Sequence, residues 1–84
     1  MKKINFRELE ILDVEGNAIK TDIAKELGNQ LYIRAENISA AELGREIYKN
    51  GEAEISVDLV NTVCAVAKAH FIFPVWNAIE KALK

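Results

Sequence analysis

The most reactive side chains in this sequence are its only thiol and its only imidazole, Cys64 and His70. A thiolate beside an imidazole base can act as a nucleophile, and both groups bind zinc. The two residues are six positions apart, which separates them by about 120° on a helical wheel. A zinc site also needs about three or four suitable ligands. We therefore predict no catalytic or metal site here, with Cys64 packed in a helix and His70 at a helix end.

Carboxylates are the second source of chemistry, because paired acids can divide the roles of general acid and general base. The close pairs among the thirteen acids are Glu42 with Glu46 and Glu52 with Glu54. Nothing nearby indicates an apolar pocket that would separate their pKa values, so we predict ordinary surface charges. The four glycines are scattered singly and form no phosphate-binding loop. The sequence predicts neither an enzyme nor a cofactor.

The distribution of charge argues against direct binding of nucleic acid. The formal net charge is −2, whereas proteins that neutralise phosphates usually carry a basic stripe. The segment from Glu36 to Asp58 contains six acids against only Arg45 and Lys49. We therefore expect the partner to be a protein or a second copy of the chain, and not nucleic acid.

A nearly uncharged segment runs from Leu59 to Ile79, in which Lys68 is the only formally charged residue. Its length raises the question of a membrane span, but Lys68 and His70 would then lie near the bilayer centre, where charge is costly. We predict no membrane association. The single cysteine and the absence of a signal-peptide pattern favour a reducing cytoplasmic location.

The run from Phe71 to Trp76 contains three of the six aromatic residues and no charge. Aromatic residues dominate the energetics of both cores and interfaces, so two interpretations remain open and can coexist. One is a core corner where two helices meet at Pro74; the other is a surface for self-association or for a partner. The candidate interface comprises five apolar side chains of this region: Phe71, Phe73, Val75, Trp76 and Ile79.

The N-terminal elements are predicted to form a β-hairpin with strands near 5–13 and 17–20. Gly16 and Asn17 tolerate positive φ and mark the reversal. The acids around Gly16 have some likeness to a calcium loop, but glycine falls fourth and not sixth, so a turn is the better interpretation. A helix capped by Thr21 or Asp22 should follow. We favour its continuation through Gly28 to about residue 35, the alternative being a strand over 30–34.

Three further helices are predicted for the rest of this single domain, 1–84, which completes a helix-rich α+β fold. Ser39 and Glu42 have the spacing of a capping box, with Ile38 and Leu43 as a hydrophobic staple, and Asn50-Gly51 is a helix stop. The linker that follows could pair as a short third strand near 53–55. Ser56 should cap the next helix, which ends near residues 70–73, and Pro74 suits the first position of the last one.

Taken in order, these elements resemble small proteins encoded in phage and prophage gene clusters. The likeness rests on three groups of residues: Asp13, Gly16 and Ile19; Leu27-Gly28-Asn29-Gln30-Leu31-Tyr32; and Ile47-Tyr48-Lys49-Asn50-Gly51 with Glu52, Glu54, Ile55 and Asp58. These motifs mainly mark turns and the ends of helices. The resemblance implies no activity and favours a role in virion assembly or another phage accessory function.

The leading functional hypothesis is a non-catalytic interaction or assembly protein that forms homo-oligomers through its apolar C-terminal helices. The alternative is a regulatory or nucleic-acid-associated module, because a helix-turn-helix unit could be built from 39–50 and 57–70. The acidity of these two helices counts against that alternative. A third class, an enzyme, would need a cofactor or a partner chain to supply its chemistry.

Overall fold

The computed structural model describes residues 2–83, and within them the chain forms four short strands and four helices. Their bounds are β1 Lys2–Asn5, β2 Leu9–Leu12, β3 Ala18–Thr21, α1 Ala24–Ile33, α2 Ile38–Asn50, β4 Glu52–Ile55, α3 Val57–His70 and α4 Phe73–Leu83. The predicted α+β class, with an N-terminal hairpin and four helices, is confirmed. No helix in this part of the chain combines the length and apolar character needed to cross a bilayer.

The predicted first strand, 5–13, is wrong in its extent, because the chain turns between two separate strands. The Asn5 Oδ1 atom accepts a hydrogen bond from the Arg7 N–H at 3.0 Å, which closes a tight turn around Phe6. β1 pairs antiparallel with β4, with Asn5 opposite Glu52, while β2 pairs antiparallel with β3. The third strand near 53–55 is therefore confirmed, but it belongs to a sheet of its own with β1.

Phe6 connects the two sheets and is fully buried. Its N–H donates to the carbonyl of Gly51 at 2.7 Å, and its carbonyl accepts the N–H of Ile23 at 2.9 Å. The next side chain, Arg7, donates from Nη2 to the carbonyl of Lys49 at 3.0 Å, at the carboxyl end of α2. A cation there interacts favourably with the helix dipole. One short segment thus fixes β1, β2 and the end of α2 relative to one another.

α1 continues through Gly28, as favoured, and the alternative strand over 30–34 is excluded. Gly28 is buried where α1 crosses α2, and it lies against Gly44 of that helix. A Cβ atom at Gly28 would lie 2.6 Å from the Gly44 carbonyl oxygen, and one at Gly44 would lie 2.7 Å from the Gly28 carbonyl oxygen. Real Cβ atoms essentially never approach backbone so closely. The two glycines therefore allow a helix contact that no larger residue pair permits.

The predicted start of α2 is wrong. The helix begins at Ile38, and the Asn37 Oδ1 atom caps it by accepting the Ala40 N–H at 2.9 Å. Ser39 therefore lies inside the first turn, and Ile38 is 76% exposed, which rules out the staple. The predicted end is confirmed: Gly51 adopts φ 79°, the left-handed conformation typical of a glycine after a helix.

The other three helices begin close to their predicted positions, but the predicted capping interactions are found only in part. Asp22 accepts the Ala24 N–H at 3.2 Å, although the residue that precedes α1 is Ile23. Ser56 precedes α3 as predicted, but its side chain makes no capping hydrogen bond. Pro74 is the second residue of α4, one later than predicted. Its fixed φ and missing N–H are still compatible with a first helical turn.

The core lies between the two sheets and the helices, and α3 contributes to it from a central position. α3 packs against both α4 and α1, which explains why its apolar face is wider than one-sided packing requires. The largest fully buried side chains are Phe6, Leu27, Leu31, Ile47, Ile55, Val63 and Ile79.

The glycine crossing generates a stability prediction. Gly28→Ala should gain about 1 kcal/mol of helix propensity but lose more through overlap with backbone of α2. We expect a net loss of about 2 kcal/mol, seen as a melting temperature lower by about 10 °C. Asn29→Ala, on the exposed side of the same helix, is the matched control and should not lower it. A Gly28→Ala protein as stable as the wild type would show that the crossing is not tight.

Candidate interaction surface

The segment from Phe71 to Trp76 forms the corner between α3 and α4. α3 ends at His70, and Phe71 is extended, with φ −96° and ψ 158°. The carbonyl of Ile72 then accepts the N–H groups of Val75 and Trp76 at 3.1 and 3.2 Å, which starts α4. The side chains of this segment divide between the core and the surface.

The five predicted interface residues do not share one exposed face. Ile79 is fully buried in the core, so a partner cannot contact it while the chain has this conformation. Phe71, Val75 and Trp76 are partly buried and pack against the core. Phe73 alone of the five is widely exposed, at 60%. The burial of Ile79 follows from its position one turn and more beyond Val75, where α4 already lies over the core.

Trp76 is further covered by its neighbours. Its ring packs edge-on against Phe73 with centroids 5.0 Å apart, and the Lys68 ammonium lies 5.0 Å from the indole centroid. The same ammonium is 3.4 Å from a carboxylate oxygen of Glu80. Such cation–π and aromatic contacts stabilise the α3–α4 pair at a partly exposed site. The exposed Phe73 ring is therefore in contact with a partly buried Trp76.

The structure adds two residues to Phe73 that the sequence analysis missed. Leu12, at the end of β2, is 54% exposed, and Val14, in the hairpin turn, is completely exposed. Together with Phe73 and Pro74 they line a cleft of about 510 Å³ between the hairpin and α4. We call this the hairpin–α4 cleft; its lining consists of Glu10, Leu12, Asp13, Val14, Phe73, Pro74, Asn77, Ala78 and Lys81. An apolar residue in a turn otherwise made of polar residues was the available signal.

The walls of the hairpin–α4 cleft carry opposite charges. Glu10 and Asp13 lie on the hairpin wall, and Lys81 lies on the helix wall. Within residues 2–83, no ion pair connects Lys81 with either carboxylate, whereas Lys3 and Lys68 have carboxylate oxygens at 3.5 and 3.4 Å.

Asp13 also holds the hairpin wall in shape. Its Oδ1 atom accepts the N–H groups of Asn17 at 2.8 Å and of Glu15 at 2.9 Å. The turn reverses at Gly16, with φ 86°, as predicted. The hydrogen bond from the Asn17 backbone is the main reason that the pKa of Asp13 is lowered from its ordinary value of 3.8. The exposed Val14 is thus presented by an ordered turn.

Cys64 and His70, the two residues considered for their reactivity, have different environments in the fold. Cys64 is buried within α3, as its predicted packing role requires. The His70 Nε2 atom lies 2.9 Å from Oε1 of Glu26 and joins the end of α3 to α1. Among residues 2–83, no three histidine, cysteine or acidic side chains are grouped so that they could hold a metal ion.

A smaller depression of about 200 Å³ lies over the glycine crossing. Tyr32 and Tyr48 flank it, and the Arg45 guanidinium lies 5.6 Å from the centroid of the Tyr32 ring. The depression forms because Gly28 and Gly44 have no side chains to fill it, and the half-exposed Tyr32 and Tyr48 stand beside them. The depression is a consequence of the close crossing and needs no ligand to explain it.

The Asp13 turn predicts a pH dependence of stability. Because the pKa of Asp13 is lower in the folded chain, its contribution is present above pH 3.8 and is lost as the pH falls through the folded value. Asp13→Asn keeps the accepting oxygen but removes the charge, so it should be less stable than the wild type at neutral pH. This difference, measured by urea denaturation, should shrink progressively as the pH is lowered below 3.8. Glu8→Gln is the control, and a pH-independent difference for Asp13→Asn would contradict the account.

Comparison with known proteins leaves the site to be interpreted from its own geometry. No family model, no curated protein and no solved structure gave a significant match to this chain.

Proposed function

We propose that this protein is a non-catalytic interaction module that self-associates through the hairpin–α4 cleft. The observation that carries the proposal is the convergence of three exposed apolar side chains, Leu12, Val14 and Phe73, from two distant parts of the chain. Exposed apolar residues scattered singly need no explanation, but a group around one concave surface is typical of an interaction site. The proposal retains the C-terminal helices as one side of the interface and adds the hairpin as the other.

The size of this surface sets the expected affinity. Full burial of an exposed leucine, valine or phenylalanine side chain contributes about 1.5–3 kcal/mol. A symmetric pair would bury two of each, but Leu12 and Phe73 are already about half buried and would gain only part of that amount. Association itself costs at least about 4 kcal/mol, and part of the interface must order on contact. We therefore expect a reversible dimer with a Kd on the order of 10 µM, not an obligate oligomer.

The biological setting of the proposal comes from the sequence. The resemblance to small phage and prophage proteins favours an assembly or accessory role. In a larger array, many weak contacts between copies would act together and raise the overall avidity. A cytoplasmic location fits a chain with a single cysteine that is buried.

The nucleic-acid alternative gains no support from the packing. A helix-turn-helix unit needs two consecutive helices packed against each other across a short turn. Here β4 separates α2 from α3, and α2 packs mainly on α1 and β4, while α3 packs on α4 and α1. The pair 39–50 and 57–70 therefore lacks the required arrangement.

Charged substitutions in the cleft test the proposal. Val14→Asp and Phe73→Asp should each reduce self-association by about tenfold or more, because they place a carboxylate in the buried contact. Val14→Asp is the cleaner variant, since this side chain is completely exposed in the single chain. The measurement is sedimentation equilibrium over a range of concentrations, with circular dichroism to confirm folding.

Val57→Asp is the matched control for this experiment. Val57 is 79% exposed, lies outside the cleft and is the first residue of α3, where an acid is tolerated. It changes the net charge equally, and it should leave self-association unchanged. A wild-type protein that remains a 9.4 kDa monomer at every concentration would overturn the proposed self-association.

A further inference from the structure

The charges of the hairpin–α4 cleft are arranged so that they complement a second copy of the same surface. Glu10 is exposed on the hairpin wall and Lys81 is exposed on the helix wall, and neither has an ion-pair partner within residues 2–83. When a surface pairs with itself about a two-fold axis, each part that lies away from the axis contacts a different part of the other copy, and the two parts must be complementary. A negative wall and a positive wall on one patch meet this condition.

We propose that the dimer is isologous, with the hairpin wall of each copy against the α4 wall of the other, and that Lys81 of one copy pairs with Glu10 of the other. This inference rests on the proposed self-association and specifies its geometry. Under the two-fold operation the apolar turn residue Val14 faces the region of Phe73, and the charge pair occurs twice. The charges then fix the register, while the apolar groups supply most of the affinity.

Glu10 is a better partner for Lys81 than Asp13 is. The Asp13 Oδ1 atom already accepts two backbone N–H groups in the turn. Its substitution would also disturb the hairpin. The Glu10 side chain does not accept such backbone hydrogen bonds within residues 2–83, although it lies opposite Lys20 in the register of β2 and β3. The test can therefore change Glu10 and Lys81 without removing a hydrogen bond of the fold.

The experiment mixes two charge-reversed variants, Lys81→Glu and Glu10→Lys. Each variant alone would form a dimer with two like-charge contacts, so its Kd should rise about tenfold or more. In a one-to-one mixture, the heterodimer has one native pair and one reversed pair, and both are attractive. Sedimentation velocity with one variant fluorescently labelled should therefore show a heterodimer with a Kd close to that of the wild-type dimer.

The mixture also distinguishes an ion pair between two copies from an ion pair within one copy. If Glu10 and Lys81 interacted only within a copy, the double variant would regain wild-type behaviour but the mixture would not. Recovery in the mixture supports the exchanged geometry, and its absence overturns that geometry. A wild-type dimer that both single variants leave unchanged would contradict this inference while self-association stands, whereas a monomeric wild type would remove both.

Glu10→Lys places a second lysine opposite Lys20, so the melting temperature of each variant is measured first. If that variant unfolds, the salt dependence of the wild-type dimer provides the second readout. Two exposed charge pairs predict a Kd that rises several-fold between about 0.05 and 0.5 M salt. A Kd that stays constant or falls with salt would count against the pairing.

Discussion

The close crossing of α1 and α2 at Gly28 and Gly44 is the constraint on which the rest of the fold depends. Each glycine lies against the backbone of the other helix at a distance that excludes any Cβ atom. This contact brings Leu27, Leu31 and Ile47 into one fully buried group. A chain of this length can bury only a modest core, so the distance between its first two helices determines how well that core is filled.

The β2–β3 hairpin is attached to the core at one end, and its turn extends beyond the core. Phe6 and the turn after β1 attach β2 to the rest of the molecule, and α4 covers one side of β2. Beyond Ile11 the core ends, and Leu12 and Val14 continue into solvent beside Phe73. The candidate surface exists because an ordered turn carries apolar residues past the limit of the core. This geometry is the physical basis of the proposed self-association.

The sequence predicted the elements better than their partners. Helical periodicity and the Asn50-Gly51 stop located the helices, but the cost of glycine in a helix made Gly28 look like a weakness when it is the contact point. The split of the first strand was not predictable from local pattern, because β1 is defined by pairing with β4, some fifty residues away. At α2, the Ser39 pattern competed with Asn37 two residues earlier, and the side chain of Asn37 is the one that accepts the Ala40 N–H.

The sequence could indicate only some residues of the hairpin–α4 cleft, because the cleft is formed by segments that are distant in the chain. An aromatic run without charge drew attention to Phe73, which is exposed, but periodicity alone could not tell that Ile79 on the same helix faces inward. Leu12 and Val14 are remote in sequence, and only the fold brings them to Phe73.

The most direct measurement of the central claim is the change in backbone amide chemical shifts when the protein is diluted from millimolar to micromolar concentration. Self-association through the hairpin–α4 cleft predicts shifts concentrated in residues 10–14 and 73–81, with the α1–α2 crossing unaffected. Shifts centred on α1 and α2, or none at all over this range, would contradict it.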